Sequence, residues 1–308
     1  MVITSTHNPR VRGLLALRRR PERERAGLLL VEGHDELAIA MASGARPVEL
    51  YHCPALVHSG DAPEVLQRAE AAGAQVVELS ESVFERVAYR QAPDGWLAVF
   101  PALATGLERL RVPPGGAVLV CDSVEKPGNL GAMLRTADAA GLDAVIACPA
   151  ATDWGNPNVV RASKGALFTV PVAEAGHDEL VAWLRERGLA IVTARPDAET
   201  PFTAADLAGG VAIVVGAESR GLSDAWSRAA DVEVRVPMFG AVNSLNVAAS
   251  AALVVYEVLR QRGRSAGATA SPRLGEFPEP AHVSPDTAAV DVVDQAPGRC
   301  VSSAGTRT

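Results

Sequence analysis

Five mainly apolar runs in the middle of the chain limit its possible folds more than any other feature. They cover residues 117–121, 144–148, 189–193, 211–215 and 232–236. Strands of a parallel sheet are buried on both faces, so they are apolar along their whole length instead of alternating. Segments with a helical spacing of apolar residues separate or follow these runs, at 130–140, 178–187 and 245–262. The pattern predicts an α/β domain with a buried parallel sheet.

A smaller α/β unit precedes this domain. Over the first hundred residues, strand-like segments alternate with helix-like ones, the first of which is a predicted helix at residues 9–20. The strand-like segments are residues 28–31, 48–51, 76–79 and 96–100. Alternation of this kind predicts a second sheet that is covered by helices.

Changes in composition mark the boundaries between these parts. Prolines and glycines cluster between residues 101 and 116, which is typical of an interdomain linker. We therefore predict a first domain at 1–104, a linker at 105–114 and a second domain at 115–262. Residues 263–308 are rich in Gly, Ser, Ala, Pro and Thr and lack apolar periodicity, which predicts a disordered tail.

Composition excludes several classes of protein. No apolar run reaches the ~20 residues that span a bilayer, and the N-terminus lacks a signal-peptide pattern, so we expect a cytoplasmic protein without membrane contact. The four cysteines are widely separated, which argues against a zinc knuckle and against a disulfide framework.

Arginine is concentrated at the N-terminus of an otherwise acidic chain. The formal net charge is -7, which argues against coating nucleic acid by bulk electrostatics. The first 25 residues nevertheless carry seven arginines, among them Arg10, Arg18, Arg19 and Arg20, against two glutamates. This local basic segment is a candidate RNA-binding surface. A solvated, arginine-rich helix face is an equally good interpretation of the charge run.

The first candidate functional motif follows the apolar run at 117–121. Asn129 stands near the start of the next helix, and Gly131 and Arg135 lie one turn apart on its predicted polar face. A glycine inside a helix costs about 1 kcal/mol relative to alanine, and room for a ligand beside Arg135 would account for that cost. The alternative is a surface arginine that pairs with Asp138.

The second motif follows the apolar run at 211–215. Gly216 and Gly221 permit a tight backbone path, and Glu218 lies between them at the carboxyl end of a strand, where open α/β proteins bind ligands. A phosphate-binding loop would need lysine where Leu222 stands, and the chain contains no Gly-x-Gly-x-x-Gly motif. Nucleotide triphosphatase and dinucleotide-binding functions are therefore disfavoured.

The third motif joins the last strand to the last helix. Pro237 ends the strand because it has no amide donor, and Ser244 and Asn246 precede a helix of apolar spacing. Backbone groups in such a loop beside a helix N-terminus bind small polar ligands well. Taken alone, the stretch is also consistent with an ordinary strand, turn and helix with Asn243 or Ser244 as the cap.

Together these three stretches resemble the motifs of the SpoU/TrmH group of SPOUT methyltransferases. They match as Asn129-x-Gly131-x-x-x-Arg135, Gly216-x-Glu218-x-x-Gly221, and Pro237-Met238 followed by Ser244-Leu245-Asn246, within residues 117–262. The resemblance implies a parallel-sheet SPOUT domain whose C-terminal segment forms a trefoil knot. The N-terminal unit, with Leu30-Val-Glu-Gly33, resembles the ribosomal-protein-like substrate-binding domain of this group.

The same resemblance implies an activity and its partners. Members of the group are homodimers that transfer a methyl group from S-adenosylmethionine to a ribose 2'-hydroxyl of RNA without a metal. The two-domain layout favours rRNA, most often 23S, as the substrate. Some rRNA enzymes of the group protect antibiotic producers from a ribosome-directed drug, and that role stays open here.

Site residues follow from the positions of the motifs. The resemblance implies a catalytic set of Arg135, Asn129, Glu218, Ser244 and Asn246. It implies a cofactor-binding set of Thr193, Ala194, Gly216, Val236, Met238 and Leu245. We add Arg135 to the four N-terminal arginines as a contact to RNA.

Three questions remain open at the level of sequence. A tRNA substrate is an alternative to rRNA, and a ribosome-associated RNA-binding factor without catalysis is an alternative to an enzyme. Arg135 is either the base that deprotonates the ribose or a clamp for the adjacent phosphate. Since the guanidinium group of arginine stays protonated in proteins, we favour the clamp.

Overall fold

The computed structural model describes residues 2–217 and 219–263. Glu218 and, apart from Gly263, the predicted disordered tail lie outside the described residues. Two sheets organise the described part of the chain.

The N-terminal sheet is mixed and has five strands in the order β1-β4-β3-β5-β2. These are β1 Val2–Ile3, β2 Leu28–Glu32, β3 Glu49–His52, β4 Gln75–Leu79 and β5 Trp96–Pro101. β5 pairs antiparallel with β2 and β3, while β4 pairs parallel with β1 and β3. Its helices are α1 Pro9–Ala16, α2 Arg20–Ala26, α3 His34–Ala42, α4 Ala62–Ala71 and α5 Glu81–Val87.

The single helix predicted at residues 9–20 is wrong. α1 ends at Ala16, Arg19 is extended, and α2 begins with Pro21 as its second residue. A continuous helix would need an amide donor at position 21 and would force the proline ring against the preceding turn. The arginine-rich segment therefore bends instead of presenting one helix face.

The C-terminal sheet has seven strands, and every pairing in it is parallel. The strands are β6 Ala117–Asp122, β7 Ala144–Ala147, β8 Val172–Glu174, β9 Ala190–Ala194, β10 Thr200–Pro201, β11 Val211–Gly216 and β12 Val232–Arg235. Their order is β10-β12-β9-β11-β6-β7-β8. The helices are α6 Pro127–Ala140, α7 Pro157–Ser163, α8 His177–Glu186, α9 Asp224–Ala229 and α10 Val247–Gln261. All five apolar runs are strands of this sheet, which confirms the predicted α/β fold class.

Helices cover both faces of the parallel sheet. Leu119 and Cys121 of β6 belong to an apolar layer with α6 and α10, whereas Val118 and Val120 belong to a layer with α8 and α9. Because successive side chains of a strand point to opposite faces, burial of both faces requires apolar residues at every position.

Candidate active site

The order of the central strands brings the first two motifs together. β6 and β11 are neighbours although almost ninety residues separate them, and Gly216 lies in register with Asp122 at their carboxyl ends. The strand order changes direction here, and ligands of open α/β sheets bind at such a point. Asp122 is buried and accepts hydrogen bonds from Ser123 Oγ (3.2 Å) and from the amide of Ser223 (3.3 Å). Its carboxylate thereby joins the loops that follow β6 and β11.

The loop after β11 depends on its two glycines. A Cβ atom on Gly216 would lie 2.4 Å from the carbonyl carbon of Gly221. Gly221 itself has φ +66°, which side chains rarely permit, and its amide donates to Ala217 O at 2.8 Å. The loop folds back on itself at the strand end, and this close packing requires glycine at both positions.

Asn246 links the third motif to the first. Its Nδ2 donates to Asn129 Oδ1 at 3.0 Å, while its own Oδ1 accepts from the amides of Ala248 (3.0 Å) and Ala249 (3.4 Å). Asn246 is thus the N-cap of α10, and the suggestion that Asn243 or Ser244 caps this helix is wrong. One side chain both begins α10 and reaches α6.

Arg135 is exposed on α6. Within the described residues its guanidinium makes no ion pair, and Asp138 instead accepts a hydrogen bond from Thr169 Oγ1 at 2.5 Å. The alternative of an Arg135–Asp138 surface pair is therefore not observed. The guanidinium is accessible to an anionic ligand.

Gly131 does not make room for a ligand, contrary to expectation. It is buried against α7, where an added Cβ would lie 2.5 Å from Ala162 Cβ and 2.9 Å from the amide nitrogen of Ser163. The glycine permits close approach of two helix backbones. Its physical role is packing of α6 on α7.

A cleft of about 410 Å³ lies at the carboxyl ends of β9, β11 and β12 beside the start of α10. Five of the six residues predicted to bind the cofactor line it, namely Ala194, Gly216, Val236, Met238 and Leu245, and so does Ser244. Thr193 does not line the cleft, since it is fully buried inside β9. The sequence alone does not show which residues at the end of β9 are covered by packing against other elements, so the burial of Thr193 could not be predicted from it.

Sequence reasoning missed three charged residues of the cleft, namely Arg195, Asp197 and Arg220. Arg195 donates to both carboxylate oxygens of Asp197, at 3.0 and 2.9 Å, and also to Ser227 Oγ. The hydrogen bonds from Arg195 hold the pKa of Asp197 below its ordinary value. A carboxylate of fixed orientation therefore stands at the cleft wall. Arg195 and Asp197 follow the end of β9, and charged residues at the carboxyl end of a predicted parallel strand were the sequence signal that could have identified them.

The four N-terminal arginines have unequal roles. Arg18 donates to the carbonyls of Arg86 (3.2 Å) and Ala88 (2.9 Å) and lies over the Tyr89 ring. Arg10 donates to Gln75 at 2.7 Å. The two exposed members, Arg19 and Arg20, stand at the start of α2 and, among the described residues, form ion pairs with Glu22 and Glu24 of that helix. Arg19 and Arg20 are the most available of the four for a ligand.

Comparison with known proteins places this arrangement in a family. Residues 116–256 match the model of the SpoU rRNA Methylase family, and residues 8–98 match the MRM3-like substrate binding domain. A 23S rRNA (guanosine(2553)-2'-O)-methyltransferase of Bacillus subtilis is 30% identical over 263 residues, which are 83% of this chain and 98% of the relative. The chain belongs to the SpoU rRNA methylase family.

Further relatives and solved structures agree with this SpoU assignment. A 23S rRNA (uridine(2479)-2'-O)-methyltransferase of Streptomyces viridochromogenes is 31% identical over 80% of this chain and 88% of its own length. A crystal structure described as an RNA 2'-O ribose methyltransferase has a TM-score of 0.75 at 39% identity, covering 85% of this chain and 99% of that one. The AviRb methyltransferase of S. viridochromogenes with AdoMet has a TM-score of 0.76 at 28% identity, covering 84% and 100%.

These matches establish the SPOUT fold of the SpoU domain. The trefoil knot that the resemblance implies stays a prediction. In the described ranges, no helix is long and apolar enough to cross a membrane. Over the same ranges, no cluster of three or more His, Cys, Asp or Glu side chains could hold a metal ion.

Proposed function

We propose that this chain is a cytoplasmic S-adenosylmethionine-dependent methyltransferase that modifies a ribose 2'-hydroxyl of 23S rRNA. The observation that carries the proposal is the convergence of the three SpoU motifs at one sheet edge, where Asn246 of the third motif contacts Asn129 of the first at 3.0 Å. The printed activities of the relatives from B. subtilis and S. viridochromogenes, both 23S rRNA 2'-O-methyltransferases, support the choice of rRNA.

The cleft fits S-adenosylmethionine in size and chemistry. Its volume of about 410 Å³ lies in the range of small-molecule sites. Leu222, Val236 and Leu245 offer apolar surface for a flat base, and the small residues Ala194 and Gly216 leave strand-end backbone accessible. The Arg195–Asp197 pair, Asn243 and Ser244 supply polar groups at the same cleft. We therefore assign cofactor binding to the cleft, with Thr193 as part of the wall behind it.

The residues of the chain have two tasks in the reaction: they align the target hydroxyl, and they hold the motif loops in place beside the cofactor cleft. Bound S-adenosylmethionine supplies an electrophilic sulfonium methyl group. Arg135 holds a phosphate next to the target ribose and so orients the hydroxyl, which removes much of the entropic cost of alignment. Asn129 and Asn246 fix the start of α6 against the start of α10, and Ser244 lies at the cleft beside them. Glu218, outside the described residues, belongs to the same motif set.

Recognition of rRNA falls to the N-terminal unit in this proposal. We assign residues 1–104 to substrate binding, 105–114 to the linker and 115–262 to catalysis. The match of residues 8–98 to a substrate binding domain supports the first assignment. Arg19 and Arg20 at the start of α2, with Arg10, are the candidate phosphate contacts, while Arg18 supports the fold through two carbonyls.

We also propose that the protein forms a homodimer through α10. Ala249, Leu253 and Tyr256 form an exposed stripe along α10, and Leu253 and Tyr256 are 41% and 50% exposed. Phe239, in the loop before α10, is 98% exposed. Large apolar side chains at helical spacing on a surface favour a protein partner, and a second copy can cover the stripe with its own.

The test is transfer of labelled methyl from S-adenosylmethionine to total rRNA from cells that lack the protein. We expect label with wild-type protein and a loss of at least about a hundredfold with Arg135→Ala, since Arg135 aligns the reacting hydroxyl. Arg185→Gln is the matched control, because Arg185 is a partly exposed arginine on α8 that pairs with Asp231 away from the cleft. Resistance of one linkage to alkaline cleavage maps the methylated ribose.

Each other outcome changes the proposal. Label on tRNA but not on rRNA would retain the chemistry and replace the substrate. No label on either RNA, with tight binding to ribosomal particles, would favour a non-catalytic factor. Activity of Arg135→Ala equal to that of Arg185→Gln would remove Arg135 from the catalytic set.

A further inference from the structure

Helix α7 lies between the N-terminal sheet and the helix that carries Arg135. Its buried residues include Val159 and Val160, which share one apolar layer with Leu29 and Val31 of β2 and with Leu134 of α6. Ion pairs to the N-terminal unit stand just before α7 and just after it, and a third contact joins α7 to α6. Of the residues in these contacts, Gly131 of α6 is the one that belongs to a motif.

The ion pair before α7 joins Asp153 to Arg23. Arg23, only 4% exposed, donates to Asp153 Oδ1 and Oδ2 at 2.9 and 2.7 Å. The same guanidinium donates to the carbonyls of Leu17 (3.0 Å) and Arg18 (2.9 Å). A buried bidentate pair has little freedom to rearrange, because either charge left alone would be costly. Asp153 therefore holds the turn between α1 and α2 against the catalytic domain.

The ion pair after α7 joins Lys164 to Glu36. Lys164 caps α7 with φ 54°, and its Nζ lies 3.2 Å from Glu36 Oε1. Glu36 of α3 is 1% exposed and also pairs with Arg90 at 2.7 Å. The next residue, Gly165, packs so closely on α3 that an added Cβ would lie 2.8 Å from Ile39 Cβ. The carboxyl end of α7 is thus fixed to α3.

The contact between α7 and α6 is made through backbone. At Gly131 the two helices approach so closely that a Cβ would lie 2.5 Å from Ala162 Cβ. The segment before α7 also holds the first motif loop, because Thr152 Oγ1 donates to Glu125 O at 2.7 Å. A shift of α7 would consequently be transmitted to Asn129 and Arg135, since close-packed helices move together.

The geometry points to α7 as a positioning element that fixes the catalytic helix α6 relative to the RNA-binding unit, with Asp153 and Lys164 as positioning residues. This inference rests on the proposed function. It assigns to the N-terminal unit a fixed orientation, so that rRNA held by that unit reaches Arg135 in one geometry. Displacement of a reacting group by about 1 Å can cost a hundredfold in rate.

Lys164→Met is the most informative variant. Lys164 is 56% exposed and Glu36 retains Arg90 as a partner. The change therefore removes the Lys164–Glu36 ion pair without leaving a buried charge unpaired. We expect the single-turnover methylation rate on rRNA to fall about tenfold, and about a hundredfold when Asp153→Asn is added. The affinity for S-adenosylmethionine should stay within about twofold, because the cleft is built from β9, β11, β12 and α10. Lys164→Arg keeps a cation at this position and should retain the wild-type rate. Arg185→Gln is the control.

Hydrogen exchange gives a readout that does not depend on activity. In Lys164→Met, amides of α6 and α7 should exchange faster while those of β9, β11 and α10 do not change. Unchanged exchange in α6 and α7 would overturn the inference, as would an unchanged methylation rate. An equal loss of rate and cofactor affinity would also overturn it, since α7 would then support the whole fold. Failure of the wild-type protein to methylate rRNA would reject the proposed function. The exchange data would still show whether the Lys164–Glu36 ion pair stabilises α7 and α6.

Discussion

Asn246 shows how one polar residue serves both the fold and the site. Its carboxamide oxygen caps α10, and its amide group reaches Asn129. Serine or aspartate could accept the capping hydrogen bonds equally well, but neither offers an amide group that reaches Asn129 while its oxygen caps the helix. The residue type is therefore fixed by the pair of contacts, not by capping alone.

Substitution of Asn246 separates these two contacts. Asn246→Ala should lower the free energy of unfolding by about 1 kcal/mol, because the cap is removed, whereas Asn246→Ser should lower it by a few tenths. Both variants should lose methyl transfer to a similar extent, because both lack the amide donor to Asn129. Urea denaturation and the methylation assay measure the two effects. Full activity of Asn246→Ser would show that the hydrogen bond to Asn129 is dispensable.

At the scale of elements, packing between helices decides what a motif residue does. The position of Gly131 beside Arg135 predicts that it faces a ligand, yet it faces Ala162 of α7. α7 itself was not predicted, although Asn156 caps it and Pro157 opens it, a recognisable start signal. Its two valines are adjacent in sequence and so show no helical spacing, and α2 consists mostly of charged residues.

The helix contact yields a compensation experiment. Gly131→Ala gains about 1 kcal/mol of helix propensity, but overpacking at a 2.5 Å contact costs roughly 1 to 3 kcal/mol, so we expect net destabilisation and reduced activity. Adding Ala162→Gly removes the clashing methyl but leaves the 2.9 Å contacts to the carbonyl carbon of residue 162 and to the amide nitrogen of Ser163, so it should restore only part of the activity. Thermal unfolding and methyl transfer, measured for both single variants and the double variant, would show this. Additive effects of the two changes would contradict direct contact.

At the scale of the whole molecule, two exposed surfaces of the described residues have features that packing of the core does not explain. One is the apolar stripe of α10, and the other is the arginine-rich segment of α1 and α2. The chain as a whole is acidic, with a formal net charge of -7, so binding of RNA must depend on local charge. Each surface makes a prediction that can be measured on the intact protein.

The dimer prediction concerns Leu253 and Tyr256. Replacing both by arginine places two like charges on the stripe, which should convert a dimer to a monomer at micromolar concentration. Sedimentation velocity measures this directly. Ala182→Arg, at an exposed position of α8, should leave the association state unchanged. Wild-type protein that sediments as a monomer would remove the homodimer from the proposal.

The RNA prediction concerns Arg19 and Arg20. Arg19→Gln with Arg20→Gln should weaken rRNA binding and reduce the slope of log affinity against log salt by about 0.7 to 0.9 for each phosphate that is no longer neutralised. Arg18 is left in place because it holds two backbone carbonyls. Binding isotherms at several salt concentrations, with Arg185→Gln as the control, supply the slopes. Equal slopes for wild type and double variant would exclude this segment from the RNA-binding surface.

The sequence by itself determined the class of the fold and the identity of the motif residues. Continuous apolar runs become parallel strands because both faces of the sheet are buried, and Gly216 and Gly221 indicate a tight loop because only glycine permits it. These are local consequences of side-chain chemistry. The ends of the nine predicted strands lie within one residue of the observed ends, as for β6, predicted at 117–121 and observed at Ala117–Asp122. The short strands β1, β8 and β10 were not predicted, because two or three residues show no apolar run.

Only the tertiary structure decided which residues meet. That β11 lies beside β6, that Thr193 faces inward and that Gly131 faces α7 depend on strand order and helix packing, which are set by long-range burial. Arg18 and Arg23 have similar surroundings in sequence to Arg19 and Arg20, yet they make structural contacts because their guanidinium groups reach carbonyls and a carboxylate from distant segments. Local composition cannot encode such partners, since each contact joins residues that the chain brings together only when it folds.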